Sequence, residues 1–175
     1  LDEKYKTAID LLDYISEIDP LHEEVLLQRA TIASKSGDHK NAITFLKDAL
    51  EISDEPDEIW NLLGMEYLLA EDYENGIYYF RSCLRFNKED YPSLYNLLYC
   101  FEQLDKNEEA IESLNEVLEH NPYCEVAWHQ LGKIFSKLGK TKEALSAFEF
   151  AIISDDTFTG AYIEKGKVLE KIGRI

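Results

Sequence analysis

A pattern of large and small residues that returns every 34 positions constrains this chain more than any other feature. Its sharpest copy runs from Glu125 to Phe158, where Trp128, Leu131, Gly132 and Phe135 precede Gly139, and Ala144, Phe148 and Ala151 follow. Spacings of three and four residues mark two helices, with Gly139 between them. Moving back from Trp128 in steps of 34 gives four units without an insertion: 23–56, 57–90, 91–124 and 125–158. Position four of the unit holds Leu26, Trp60, Leu94 and Trp128, and position eight holds Ala30, Gly64, Leu98 and Gly132. Positions twenty and twenty-seven hold Ala42, Gly76, Ala110 and Ala144, then Ala49, Cys83, Val117 and Ala151. Small side chains at such places let helix axes approach within about 8–10 Å. A chain patterned this way grows by stacking units on their neighbours rather than by enlarging one core.

The fourth unit resembles the tetratricopeptide repeat. W-x2-L-G-x2-F stands where that family has W-x2-L-G-x2-Y, and A-x3-F follows. The resemblance implies an all-α fold, a right-handed α-solenoid of antiparallel helix pairs with one pair per repeat. Turn chemistry fits the same register. Pro20 and Pro122 sit at position thirty-two, Pro56 at the unit's last place and Pro92 in the first turn of a helix, where a missing N–H costs nothing. Gly37, Gly139 and Gly173 all occupy position fifteen, where a left-handed residue would close the first helix. Ten helices are expected, over 4–18, 23–36, 40–53, 57–70, 74–87, 91–104, 108–120, 125–138, 142–154 and 159–172.

The ends read as half-repeats. Residues 1–22 fit the second helix of a preceding unit through Ala8, Leu12, Ile15, Asp19 and Pro20, and 159–175 the first helix of a following one through Tyr162, Gly166, Leu169 and Gly173. The chain is therefore expected to be a piece of a longer array. Its bared ends would then offer a route to self-association, visible in light scattering as mass above the monomer. The third unit departs most from the pattern. Leu94, Leu98 and Phe101 replace Trp, Gly and Tyr, and Leu98 at the close-contact position is expected to disturb its helix pair.

Charge narrows the partners. The net charge of −17 disfavours nucleic acid and anionic membrane. It is also uneven: residues 1–124 carry 10 basic and 28 acidic side chains, whereas 125–175 carry 8 and 7. Three cysteines without a CxxC spacing read as reduced thiols, in keeping with a cytoplasmic setting. No phosphate-binding glycine loop, nucleophile elbow or HExxH helix occurs. His120, Cys124 and His129 lie near one another in sequence but lack a fourth ligand, so no metal and no cofactor is expected. No pattern indicates an enzyme.

What the consensus leaves undetermined carries the functional reading. The resemblance implies a concave surface lined by the first helix of each repeat, with positions two, five, nine, twelve and thirteen facing it. Asn61, Met65 and Leu69 fall there in the second unit, and Tyr95, Tyr99 and Gln103 in the third. The fourth unit contributes His129, Lys133 and Lys137, and the last half-unit Lys167 and Lys171. An apolar, aromatic middle followed by a basic end suits a protein or peptide segment with an acidic end. The family's carboxylate clamp for chaperone tails needs Lys then Asn at positions five and nine. The four units offer Leu27 and Thr31, Asn61 and Met65, Tyr95 and Tyr99, or His129 and Lys133, and none matches. The expected function is a non-catalytic interaction scaffold. The alternative is a regulatory or substrate-presenting region of a larger enzyme or cell-envelope assembly.

Overall fold

The computed structural model describes residues 3–18 and 22–173. Among these residues there are ten α-helices and no strand. They are α1 (Glu3–Ile18), α2 (Glu23–Lys35), α3 (His39–Ile52), α4 (Pro56–Leu69) and α5 (Tyr73–Phe86). Then come α6 (Tyr91–Gln103), α7 (Asn107–His120), α8 (Glu125–Lys137), α9 (Thr141–Ser154) and α10 (Thr159–Lys171). Each lies within one residue of its expected bounds at either end. Asp19 and Pro20, part of the expected punctuation, lie outside the described residues. The chain forms two compact units, 1–104 and 105–175, so the third repeat contributes α6 to the first and α7 to the second.

Within each unit the helices that share a repeat pack most extensively: α2 on α3, α4 on α5 and α8 on α9. The contact that locks these pairs is between positions eight and twenty-four. A Cβ placed on Gly132 would sit 2.4 Å from the Phe148 ring, and one on Gly64 would sit 2.7 Å from the Phe80 ring. Phe80 and Phe148 are fully buried. In the first repeat the same two places hold Ala30 and Leu46, also buried, so a smaller partner accompanies the larger position-eight residue. Between repeats, Gly76 of α5 lets α6 approach until its missing Cβ would meet Cys100 Sγ at 3.2 Å. Cys83, Cys100 and Cys124 are buried free thiols, and burial pushes the Cys100 thiol up to about 11.

Aromatic residues fill the remaining seams. Tyr67 stacks on Tyr79 with ring centroids 5.6 Å apart, and both are buried. Trp60 meets Phe86 edge-on at 6.3 Å, tying the start of the second repeat to its end. One buried acid stands apart from this apolar pattern: Glu66 on α4, whose carboxylate lies 2.8 Å from His39 Nδ1 at the start of α3. That pair links the first and second repeats.

Helix ends follow local chemistry. Pro56 and Pro92 open α4 and α6 in their first turns. Asp38, Asp72 and Asp90 cap α3, α5 and α6 by accepting the backbone N–H of Asn41, Asn75 and Ser93 at 3.2, 3.3 and 3.2 Å. Position fifteen takes a left-handed backbone in every repeat. Gly37, Gly139 and Gly173 adopt φ of 76°, 73° and 67°, and where glycine is missing Glu71 and Asp105 adopt 59° and 53°. A side chain in that region costs about 1–2 kcal/mol. Glu71→Gly should therefore stabilise the fold by about 0.5–1 kcal/mol, after the added freedom of an unfolded glycine is set against the relieved strain. Urea unfolding at neutral pH checks this, and a midpoint that stays or falls would refute it.

Candidate functional site

In the first unit, α4 and α6 lie side by side and expose one continuous seam. Asn61 Nδ2 donates to Ser93 Oγ at 3.0 Å, and one turn along Asn96 Nδ2 reaches Met65 Sδ at 3.3 Å. Asn61 and Met65 are thus partly buried and join two first helices to each other. One turn further come Leu69 on α4 and Tyr99 on α6, 49% and 45% exposed, with Tyr95 at 43% on the same face of α6. Tyr99 leans edge-on against Tyr73, ring centroids 6.3 Å apart, which holds the phenol at the surface without covering it. Gln103 is exposed at the end of α6. The sequence reading had not singled out Ser93, whose burial and hydrogen bond set the seam, nor Leu62, which is as exposed as Tyr95. Their signal was available. Asn61 and Ser93 stand 32 residues apart, two short of the repeat, which places them opposite each other on successive first helices.

In the second unit, α8 and α10 hold the basic residues. Lys133, Lys137, Lys167 and Lys171 are all exposed. Lys137 approaches Asp105 at 3.6 Å, and Lys167 bonds Glu164 at 2.7 Å one turn back. Exposed pairs of this kind contribute little, so either lysine can exchange its partner for an incoming carboxylate. His129 is placed differently. Its ring packs against Phe148 and Phe158 at 5.9 and 5.2 Å, and Gly160 leaves room for it from α10. Both ring nitrogens are shut off from solvent, and neither has a hydrogen-bond partner among the described residues. Burial, then the Lys133 charge, pushes its pKa below the usual histidine range, while Glu164 opposes them.

Among the described residues no group of three or more His, Cys, Asp or Glu side chains could hold a metal ion. Among them, too, no helix is long and apolar enough to cross a membrane.

The repeat register seen in the structure is matched by a family model described as tetratricopeptide repeat, over residues 23–56, 57–90, 91–124 and 126–152. The chain belongs to the tetratricopeptide repeat family. The register of these repeats is the one that the position-eight and position-twenty-four contacts follow. Solved structures share the fold. A MamA protein is 21% identical over 87% of this chain and 83% of that one, with a TM-score of 0.65. YrrB, described as a tetratricopeptide repeat protein with an unusual peptide-binding site, is 21% identical over 93% and 84%, with a TM-score of 0.61. A tetratricopeptide repeat protein from Parabacteroides merdae ATCC 43184 is 18% identical over 86% of this chain and 60% of that one, at 0.70. Among curated proteins there is no match.

The histidine box has a pH consequence. A histidine whose folded pKa lies below its unfolded value of about 6.5 binds fewer protons when folded. Its contribution is complete above that value and is lost as pH falls from about 6.5 towards the lowered pKa. The melting temperature should therefore drop between pH 7.5 and pH 5.5, and His129→Leu should flatten that drop. Parallel slopes for the two proteins would refute it.

Proposed function

We propose that the chain is a non-catalytic scaffold whose first-helix faces bind segments of other proteins, the first unit an apolar stretch and the second unit, by itself, an acidic one. The observation that carries this is the exposure of Leu69, Tyr95 and Tyr99 on one side of α4 and α6. These three are large and apolar, and they stand outside the buried core that Phe80, Leu63, Leu94 and Leu97 fill. Tyrosine gives much contact area for little lost side-chain freedom, which is why it concentrates in binding hot spots. The peptide-binding site attributed to YrrB, whose fold this chain shares, is in keeping with that use.

On the second unit Lys133, Lys137, Lys167 and Lys171 recur at spacings of four on α8 and α10. Solvated lysines guide an acidic segment during approach more than they tighten the final complex. The two faces therefore have separable kinetic roles.

A displayed peptide library selected on the intact chain tests this. Selected peptides should be rich in aromatic and aliphatic residues or in acidic ones. Tyr99→Ala should weaken the former by about 1–3 kcal/mol in calorimetry. Lys133→Glu with Lys137→Glu should slow association of the latter about tenfold at low salt and flatten its salt dependence, with a smaller effect on dissociation. Peptides indifferent to both changes would sink the proposal.

A further inference from the structure

Beyond the buried contacts of its helix pair, the second unit carries an apolar patch apart from the first-helix face. Trp128 lies against Phe150 with ring centroids 4.7 Å apart and planes at 24°. Its indole N–H already donates to the Pro122 carbonyl at 2.8 Å, so no polar group of that pair asks for water. Ile153, one turn along α9, is 71% exposed, Phe150 48%, and Tyr123 in the turn between α7 and α8 72%. Phe150 and Ile153 occupy positions twenty-six and twenty-nine of their repeat. On α7 those same two positions hold Glu116 and Glu119, with Glu112 one turn earlier, and all three are exposed. α7 and α9 both pack on α8 as second helices of successive repeats, so equivalent positions of the two, glutamates on one and apolar residues on the other, fall on the same side of the unit.

We propose that this face docks a basic amphipathic helix of another protein, its apolar stripe on Trp128, Phe150 and Ile153 and its cations on Glu112, Glu116 and Glu119. Two rows at equivalent positions of successive repeats, one apolar and one acidic, are the complement of a helix with one apolar and one basic stripe. Charge selects among occupants. A second copy of this chain, at a net charge of −17, is repelled overall despite the lysines of its second unit, and an anionic lipid surface is repelled by the acidic row. The site is separate from the first-helix faces, so it stands or falls independently of them.

Two labelled helical peptides of equal positive charge supply the test, one with lysine and leucine at helical spacing, the other with serine in place of leucine. At physiological salt the leucine peptide should bind the intact chain at least about tenfold more tightly than the serine peptide. Phe150→Ser with Ile153→Ser should weaken it by a similar factor, as should Glu112→Gln, Glu116→Gln and Glu119→Gln together, which should also lower the salt slope. Tyr95→Ala with Tyr99→Ala should leave it unchanged. Circular dichroism shows whether the Phe150 variant is folded, and Ile153→Glu alone, at a solvent-exposed position, serves if it is not. Equal binding of the two peptides, or affinity unmoved by the Ile153 changes, overturns the proposal. So does equal binding of a leucine helix bearing glutamates. A concentration-dependent dimer that Ile153→Glu dissolves would assign the face to a second copy instead, and would also overturn it.

Discussion

The Phe148 ring occupies the space where a side chain on residue 132 would stand, and the geometry of a repeat follows from that contact. Two helices cross closely only where one of them presents backbone, and the ring then fills the hollow and excludes water from the crossing. The second repeat repeats the arrangement with Gly64 and Phe80. The first uses Ala30 with Leu46, a larger residue facing a smaller one. In these three repeats a larger residue at one position goes with a smaller one at the other, a rule from which the third repeat departs with Leu98 and Leu114. Small residues at positions twenty and twenty-seven, such as Ala144, Ala151 and Gly76, extend the same logic to neighbouring helices.

Because packing is settled by a few fixed positions, the others are available for recognition. On α4 and α6, Asn61 and Met65 join the helices through Ser93 and Asn96, and Leu69, Tyr95 and Tyr99 rise beside them into solvent. On α8 and α10 the available positions carry lysines, in the half of the chain where the acidic excess ends. The second helices have such positions too, and in α7 and α9 they hold glutamates and large apolar groups. Function in this fold is written between the letters of the repeat.

The fold was legible because spacing and side-chain size are themselves the folding instructions. A 34-residue period without insertions fixes every helix to within one residue, and glycine at position fifteen marks three of the five left-handed turns among the described residues. Glu71 and Asp105 show the limit of residue type as a guide: the same left-handed backbone closes the first helix where no glycine announces it. The faces were legible only in part. Tyr95 and Lys133 stand exposed as their positions imply, whereas His129, at the position equivalent to Tyr95, turns into a box of Phe148, Phe158 and Gly160. Residue 160 lies in the next repeat, and no pattern within one 34-residue unit can report that its small size makes room for a ring 31 positions away. The Glu66–His39 pair is hidden for the same reason, since each partner is ordinary in its own repeat.

The central claim is that positions eight and twenty-four act as one volume, and a double-mutant cycle on Gly132 and Phe148 tests it most directly. Helix propensity alone would make Gly132→Ala stabilising by about 1 kcal/mol. The 2.4 Å approach to a buried ring should reverse the sign and destabilise by about 1–3 kcal/mol. Adding Phe148→Leu, which recreates the Ala30 and Leu46 combination of the first repeat, should recover stability beyond the sum of the single changes by at least about 1 kcal/mol. A stabilising Gly132→Ala, or strict additivity of the two substitutions in urea unfolding, would contradict the account.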